Sequence, residues 1–495
     1  MASRGRHAAR APLSATLAIL SLVVASVAVV RAVPPRSVVT REAVSSEVGV
    51  PTPRGGWGDG LLTFRGTPGR NYMGRGPVPA APEVRWRVPE RKLCSLSTIG
   101  LDGTERVEWC GTGWTGQPNV IPGDDGLEIR EGAYDGAYHF LGGDGRALRP
   151  PLQTGDLAKG SATTDPDGYP LYYAGSRDNL LRIVALDRGA PTVLWELDAD
   201  TSAPQPLWND DWDGAPLILR DVLFVGGENG WIYAIRLHRG YDELGRVTVE
   251  PERPITVPGF DNELLQAIGD EDVSIESSVT FMDGVLYAAN SGGLVTGWDV
   301  RDILRGGDRI EQVFRFWTGD DTDATVVADP ALGRLYVASE YQRFGERSRA
   351  LGQLMALDPS LPDDPVIWSL DAPEIGFGGA GGSWSTPALG PGSVFFTTAA
   401  GRVLRVDAST GDILWEAQIA APSIGSPVVV DGVLVQGDCS GALHAWSVDD
   451  DMTHLWSIDL GECLESTPAV WDGWIYVGSR EGYLFGVADA ETPVG

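Results

Sequence analysis

The fold is decided by two stretches near the C-terminus that align without gaps, SPVVVDGVLVQGDCSGALHAW (426–446) and TPAVWDGWIYVGSREGYLFGV (467–487). They are offset by 41 residues, and the Asp-Gly pair at 431–432 coincides with the pair at 472–473. Each consists of an apolar run, an Asp-Gly turn, a β-branched and aromatic run, a turn of small residues and a third run. This order predicts three consecutive antiparallel strands joined by tight turns.

Further copies of this unit fill most of the chain. They begin at Gln117, Ser161, Ala215, Ser278, Ala324 and Thr386, which makes eight copies with the two above. Most copies are followed by a strand that contains a tryptophan; the tryptophans are Trp195, Trp317, Trp368, Trp415 and Trp456. Four strands recurring every roughly 40 to 60 residues are typical of a β-propeller blade.

The last copy has no tryptophan strand after it, whereas the N-terminal stretch EVRWRV (83–88) supplies one with Trp86. Pairing of this strand with the last blade would remove an exposed sheet edge. The sequence therefore predicts an all-β, eight-bladed propeller of four-stranded antiparallel blades, closed by an N-terminal strand and preceded by one hydrophobic helix. The predicted divisions are a signal anchor or signal peptide (1–32), a linker (33–56) and the propeller (57–490).

The N-terminus predicts export from the cytoplasm. Residues 13–30 carry no charge and follow Arg4, Arg6 and Arg10, a pattern typical of a single-pass membrane anchor with its positive flank inside. The alternative is a cleaved signal peptide and a secreted protein. The net charge of −30 argues against nucleic acid as a partner and leaves only the N-terminal segment as a membrane contact.

Four cysteines in an exported chain predict disulfides, with three pairings open. We expect Cys94–Cys110, which are close in sequence, and Cys439–Cys463, which lie in loops of adjacent blades on one face.

Acidic residues gather in the loops that precede the innermost strands, which we name lead-in loops. The loop WNDDWDGAPL (208–217) contains Asn209, Asp211 and Asp213, whose alternating oxygens predict a calcium site; a solvated acidic loop is the alternative. Lead-in loops and the turns between second and third strands share one face of an antiparallel blade, named the top face here. The predicted acidic patch on it also contains Asp210, Glu271, Asp272, Glu276, Asp320, Asp321, Asp323 and Glu465. Its expected partner is a small cationic ligand or an envelope protein.

The stretch VDASTGDILW (406–415) resembles the tryptophan-docking repeat of the pyrroloquinoline-quinone (PQQ) propellers. ALDRGAPTVLW (185–195) and ALDPSLPDDPVIW (356–368) resemble it more loosely, and residues 63–88 resemble the segment that leads into such repeats. The resemblance covers roughly residues 60–490 and implies the propeller fold, which serves both enzymes and scaffolds. Its dehydrogenases hold PQQ with calcium, a catalytic aspartate and, in many, a disulfide between adjacent cysteines; this chain has no adjacent cysteines.

These observations favour a non-catalytic, extracytoplasmic interaction or ligand-binding module with an acidic top face. The alternatives are a PQQ- and calcium-dependent dehydrogenase and a calcium-stabilised structural propeller. Trp114, Trp208, Trp212 and Trp384 lie in lead-in loops, where they are expected to stack on a ligand or to pack at the rim.

Overall fold

A computed structural model describes residue 57 and the ranges 59–99, 105–114 and 116–493. The predicted anchor (1–32) and linker (33–56) lie outside these residues. In the part of the chain that is described, no helix combines the length and the apolar character needed to cross a membrane.

The described residues form an all-β propeller of eight four-stranded antiparallel blades, as the sequence predicts. The first strands of neighbouring blades contact one another, which places them at the centre of the ring. In order from the centre outwards, blade 1 is Asn119–Gly123, Gly126–Ala133, Ala137–Gly142 and Leu152–Gln153; blade 2 is Thr163–Thr164, Leu171–Ala174, Leu180–Ala185 and Thr192–Asp198; blade 3 is Leu217–Leu219, Val222–Gly226, Trp231–Arg236 and Ile255–Pro258; and blade 4 is Thr280–Met282, Val285–Ala288, Leu294–Asp299 and Glu311–Trp317.

The second half of the ring has the same order. Blade 5 is Val327–Asp329, Arg334–Ala338, Leu354–Leu357 and Val366–Leu370; blade 6 is Ala388–Gly390, Ser393–Thr397, Arg402–Asp407 and Ile413–Gln418; blade 7 is Val428–Val430, Val433–Gly437, Ala442–Ser447 and His454–Asp459; and blade 8 is Ala469–Trp471, Trp474–Ser479, Tyr483–Ala488 and, outermost, Glu83–Val88. The N-terminal strand Glu83–Val88 thus pairs antiparallel with Tyr483–Ala488, the third strand of blade 8.

Short elements decorate this ring. Gly74–Arg75 pairs parallel with the innermost strand of blade 8. Three two-stranded sheets pair Cys94–Ile99 with Glu105–Cys110, Gly240–Tyr241 with Val247–Thr248, and Glu340–Tyr341 with Gly381–Gly382. The described helices are Ala199–Ser202, Asn262–Ile268 and Glu346–Leu351, with 3₁₀ turns at Ile303–Arg305 and Phe377–Gly379.

The Asp-Gly pairs form two-residue turns between first and second strands. Asp431 and Gly432 have φ angles of 49° and 73°, and Asp472 and Gly473 have 46° and 86°. Two successive positive φ angles define the type I′ turn, which matches the twist of a hairpin and favours Asp-Gly. The repeat is therefore recognisable from its turns as well as from its apolar runs.

Two outer-strand tryptophans, Trp368 and Trp86, dock on the following blade. The indole Nε1 of Trp368 donates to the carbonyl oxygen of Ala408, in blade 6, at 3.2 Å. A Cβ added at Gly411 would lie 2.6 Å from Cγ of Trp368, so only glycine allows this close approach. Trp86 makes the corresponding contact across the first and last blades, because its Nε1 donates to the carbonyl oxygen of Gly143 at 2.8 Å. The glycine of the docking motif thus has a steric cause.

Residues 61–75 occupy the centre of the ring. The guanidinium of Arg65 is fully buried and donates to the carbonyl oxygens of Thr386, Pro387 and Pro427, in the lead-in segments of blades 6 and 7. On the opposite side, Arg70 donates to carbonyl oxygens that precede the innermost strands of blades 3 and 4. The chain before blade 1 therefore fills the axis and ties distant blades together.

Candidate functional site: an acidic ring on the top face

One residue from each of seven lead-in loops converges on the axis above this filled channel. These residues stand four positions before the innermost strand of blades 2 to 8, and we call them the axial ring: Lys159, Asp213, Glu276, Asp323, Trp384, Ile424 and Glu465. A small cavity at the centre is lined by several of them together with Trp114. Equivalent backbone positions in seven blades thus place four acids, one lysine and two apolar side chains around one point.

The first acidic group belongs to blade 3. Asp211 and Asp213 come from its lead-in loop, and Glu228 lies two residues after its second strand. The ammonium of Lys159 lies 2.6 Å from Asp213, 3.5 Å from Asp211 and 3.5 Å from Glu228. Arg177 adds a contact of 3.1 Å to Asp211. We name the three carboxylates the blade 3 cluster; its negative charge is largely balanced by these two internal cations.

Burial and charge shift the pKa values of Asp211, Glu228 and Lys159. Burial raises the pKa of Asp211 to about 7, although Lys159 opposes the shift. Burial also raises the pKa of Glu228 well above its usual range. For Lys159, burial lowers the pKa, but the attraction of Asp213, Glu228 and Asp211 outweighs it and keeps the amine protonated.

The predicted calcium ligands Asn209, Asp211 and Asp213 lie together in this region. The side-chain amide of Asn209 donates to Glu228 rather than joining the two aspartates as an oxygen ligand. Repulsion within the stretch 208–217 is relieved by Lys159, a residue that comes from blade 2. Calcium binding by these three residues stays a prediction.

The second acidic group belongs to blade 5. Carboxylate oxygens of Asp321, Asp323 and Glu340 lie within 4.8 Å of one another, and we name these residues the blade 5 cluster. Glu340 is fully buried, and neither of its carboxylate oxygens has a hydrogen-bond donor. Asp321 has one oxygen bonded to the side chain of Gln342 and the other without a partner. Among the described residues, no cationic side chain forms an ion pair with any of the three.

Because no cation forms an ion pair with the blade 5 cluster among the described residues, the pKa values of its carboxyl groups are raised. Burial raises the pKa of Asp321, Asp323 and Glu340 well above the usual range of carboxyl groups. Repulsion from the other members of the cluster and from Glu276 adds to the effect. The hydroxyl of Ser291 donates to Asp323 at 3.0 Å and offsets part of it. These carboxylates favour either a proton or a bound cation.

Two other residues of the predicted patch, Asp320 and Asp272, contact the loop that contains Arg343. Asp320 accepts the backbone N–H of Asp321 at 3.0 Å and that of Arg343 at 3.0 Å, so it acts as a loop cap. Asp272 lies 3.2 Å from the guanidinium of Arg343. Burial nevertheless raises the pKa of Asp272 to about 6.

The remaining patch residues differ in their surroundings. Glu465 is buried, accepts the hydroxyl of Tyr134 at 3.1 Å and lies 3.6 Å from Arg480. Asp210 is half-buried, and Glu271 is exposed. The structure therefore concentrates the predicted acidic patch into two buried clusters, with Glu276 between them.

Three important residues were not predicted from the sequence: Lys159, Glu228 and Glu340. The two glutamates share a signal, since each stands two positions after the second strand of its blade. Lys159 shares its register with the predicted Asp213, Glu276 and Asp323, four positions before an innermost strand. A comparison of equivalent positions in all blades identifies them once the strand pairing fixes the register.

Tryptophans close the centre of the top face. Trp114 and Trp384 pack edge to face with ring centroids 5.9 Å apart, and Lys159 lies 4.9 Å from the centroid of the Trp114 ring. The indole N–H of Trp114 donates to Glu276. Of the other predicted stacking residues, Trp212 is buried and Trp208 is exposed.

Both predicted disulfides are present. Cys94–Cys110 joins directly opposite residues of a hairpin. Cys439–Cys463 joins a turn of blade 7 to the lead-in loop of blade 8 on the top face. All four cysteines of the chain are therefore paired.

Comparisons with known proteins agree with this fold. Residues 350–491 match the model of a family described as outer membrane protein assembly factor BamB. No curated protein matched the sequence. Among solved structures, a europium-containing methanol dehydrogenase is similar with 13% identity and a TM-score of 0.58, over 87% of this chain and 98% of that chain.

Two quinohemoprotein alcohol dehydrogenases are also similar. The enzyme from Pseudomonas putida HK5 has 11% identity and a TM-score of 0.57, over 89% of this chain and 81% of that chain. The enzyme from Comamonas testosteroni has 14% identity and a TM-score of 0.55, over 88% of this chain and 82% of that chain. At such identities the likeness concerns the fold alone. The predicted resemblance to PQQ-type repeat propellers is confirmed: the chain has their eight-bladed fold, and residues 350–491 carry the likeness in sequence.

Proposed function

We propose that the protein is a non-catalytic, extracytoplasmic binding module that takes a cationic ligand on its acidic top face. The observation that carries the proposal is the blade 5 cluster, three carboxylates held together beside the axial ring with which no cationic side chain of the described residues forms an ion pair. Low-dielectric walls around such a group strengthen its potential at the centre of the face. A positively charged ligand is the partner that this field favours.

The location outside the cytoplasm is supported by the cysteines and by the N-terminal sequence. All four cysteines form disulfides, which persist in oxidising compartments. The uncharged residues 13–30 supply the proposed membrane anchor, and a cleaved signal with secretion is the alternative. The ligand is then a small cation or the basic surface of an envelope protein.

A titration of the full-length protein with spermidine tests this function. We expect binding that weakens as salt is added and that is lost in the double variant Glu276→Gln, Asp323→Asn, because these residues line the central cavity. Glu243→Gln is the control: this exposed acid lies in the connection after the third strand of blade 3, on the opposite face. Absence of spermidine binding, or equal binding by the double variant, would contradict the proposal.

A quinone-dependent dehydrogenase is supported by the fold of the similar enzymes. The residues present at the axis do not fit a flat quinone, since the rings of Trp114 and Trp384 pack on each other and Lys159 covers part of Trp114. The two disulfides join cysteines that are 16 and 24 residues apart. We therefore derive no catalytic step. Addition of PQQ and calcium, followed by absorbance and dye-linked alcohol oxidation, is expected to give neither a quinone spectrum nor turnover.

We also propose that the strand Glu83–Val88 closes the ring. Its antiparallel pairing with Tyr483–Ala488 and the hydrogen bond from Trp86 to blade 1 support this role. Deletion of residues 80–90 should abolish cooperative unfolding, because it leaves the third strand of blade 8 as an open sheet edge. A deletion variant that melts as sharply as the parent protein would contradict the closure.

A further inference from the structure

The blade 3 and blade 5 clusters are equivalent in the fold. In both blades an aspartate stands six positions before the innermost strand, a second aspartate four positions before it, and a glutamate two positions after the second strand. The three carboxylates of each cluster lie within 4.8 Å of one another. The same backbone geometry therefore produces two sets of three converging carboxylates.

The residue that the preceding blade contributes differs in charge. Four positions before its innermost strand, blade 2 supplies Lys159 to the blade 3 cluster. At the same position, blade 4 supplies Glu276, which raises the pKa values of the blade 5 cluster instead of compensating its charge. The blade 5 cluster thus has the same geometry as the blade 3 cluster, but the carboxylate of Glu276 stands where the blade 3 cluster has the ammonium of Lys159.

A second observation points into this cluster. Glu340 is fully buried and both of its carboxylate oxygens lack a donor, while one oxygen of Asp321, 4% exposed, lacks one too. Buried polar atoms without partners are rare in folded proteins. Asp323 is partly exposed and lines the central cavity, which gives a small ion a path to the other two residues.

We propose that Asp321, Asp323 and Glu340 bind a hard divalent cation, with calcium as the matching ion. This inference deepens the proposed function and rests on it. The donor set consists of carboxylate oxygens, which are the ligands that calcium prefers. One divalent ion leaves the blade 5 cluster with one net negative charge, the same formal value that Lys159 and Arg177 leave in the blade 3 cluster.

Thermal unfolding of the full-length protein with and without calcium tests this site. We expect calcium to raise the melting temperature by several degrees, because an ion that binds only the folded state stabilises it. In Glu340→Gln, the calcium response should disappear while the melting temperature without calcium rises, since one buried negative charge is removed. Asp323→Asn is the second variant and should behave alike. Loss of the response together with lower stability without calcium in both variants would mean a purely structural role and overturn the proposal.

The matched control is Glu228→Gln, the equivalent position in the blade 3 cluster. Lys159 remains paired with Asp211 and Asp213 in this variant, so its calcium response should equal that of the parent protein. Disappearance of the response in Glu228→Gln, or its persistence in Glu340→Gln, would overturn the assignment to blade 5.

Terbium emission provides a direct readout. Trp114 and Trp384 line the same cavity as Asp323, so excitation of tryptophan should sensitise a terbium ion bound there. We expect sensitised emission that calcium displaces and that Glu340→Gln abolishes. Spermidine binding without a calcium or terbium response would refute the metal site and leave the proposed function standing. A metal response without spermidine binding would refute the ligand-binding function and favour the calcium-stabilised structural propeller.

Discussion

The blade 3 and blade 5 clusters share their geometry and differ in one neighbouring residue. Each places three carboxylates at equivalent positions of a blade. Lys159 compensates the blade 3 cluster from blade 2, whereas Glu276 increases the negative charge beside the blade 5 cluster from blade 4. In a repeat fold, the backbone determines where side chains converge, and a single residue from the preceding repeat determines whether the converging carboxylates are compensated by an internal cation.

The largest effect is expected for Lys159→Met. This variant leaves the buried carboxylates of the blade 3 cluster with Arg177 alone, and removal of one partner from a buried ion pair costs about 3–5 kcal/mol. Urea unfolding should show the loss. Lys92→Met is the control, because Lys92, the other lysine of the chain, forms a pair with Glu481 in solvent, and exposed ion pairs contribute little to stability. Equal stability of the two variants would show that the blade 3 cluster is not held by Lys159.

The reverse substitution, Glu276→Lys, converts the blade 5 cluster to the arrangement of blade 3. It removes one negative charge and adds a positive one beside three buried carboxylates, so we expect about 2–3 kcal/mol of added stability in the absence of calcium. The calcium-induced rise in melting temperature should vanish at the same time. Glu276→Gln removes the negative charge without adding a positive one, so it should raise the stability by a smaller amount than Glu276→Lys. A destabilised Glu276→Lys protein that still responds to calcium would contradict the equivalence of the clusters.

The third prediction concerns how the free energy of unfolding depends on pH. The pKa of Asp211 is raised to about 7 and that of Asp272 to about 6, above the value of about 3.9 expected for an unfolded chain. Between pH 4 and pH 7 the folded protein therefore binds more protons than the unfolded chain, and the unfolding free energy without calcium should fall as the pH rises through this range.

Calcium should oppose this trend, because deprotonated ligands bind the ion better at higher pH. Urea unfolding at pH 5 and pH 7.5, with and without calcium, measures both slopes. Glu131, which burial gives a pKa of about 8, contributes a slope of the same sign away from the clusters. Glu131→Gln is therefore needed as the background variant. A calcium effect that is larger at pH 5 would contradict binding by carboxylates.

Sequence predicted those features that repeat locally. The Asp-Gly turns, the tryptophan strands and the cysteine positions each depend on short-range patterns, and they led to the eight blades and both disulfides. Residues 61–75 were seen only as a segment leading into the repeats, because their position on the axis depends on contacts with blades up to 397 residues away in sequence. No local periodicity encodes such a contact.

The site was harder to predict for a related reason. The copy in blade 5 begins at Thr325, whose N–H donates to Thr386 as that of Ala215 does to Ser278, and not at Ala324 as predicted. With the copy starting one residue too early, Asp323 no longer aligns with Lys159 and Asp213. The equivalence of the two clusters could therefore not be read from the aligned copies. A loop of variable length before each innermost strand leaves this register undetermined until the strand pairing is known.

The smallest effect is expected for Glu271→Gln, which separates a local site from a generally acidic face. Glu271 belongs to the predicted patch but is exposed. Charges in water interact weakly and are screened by salt, so the substitution should change the unfolding free energy by less than about 0.5 kcal/mol. The calcium-induced rise in melting temperature should remain that of the parent protein. A reduced calcium response in Glu271→Gln would mean that the ion is attracted by the summed charge of the top face, and the contrast between the two buried clusters would lose its meaning for binding.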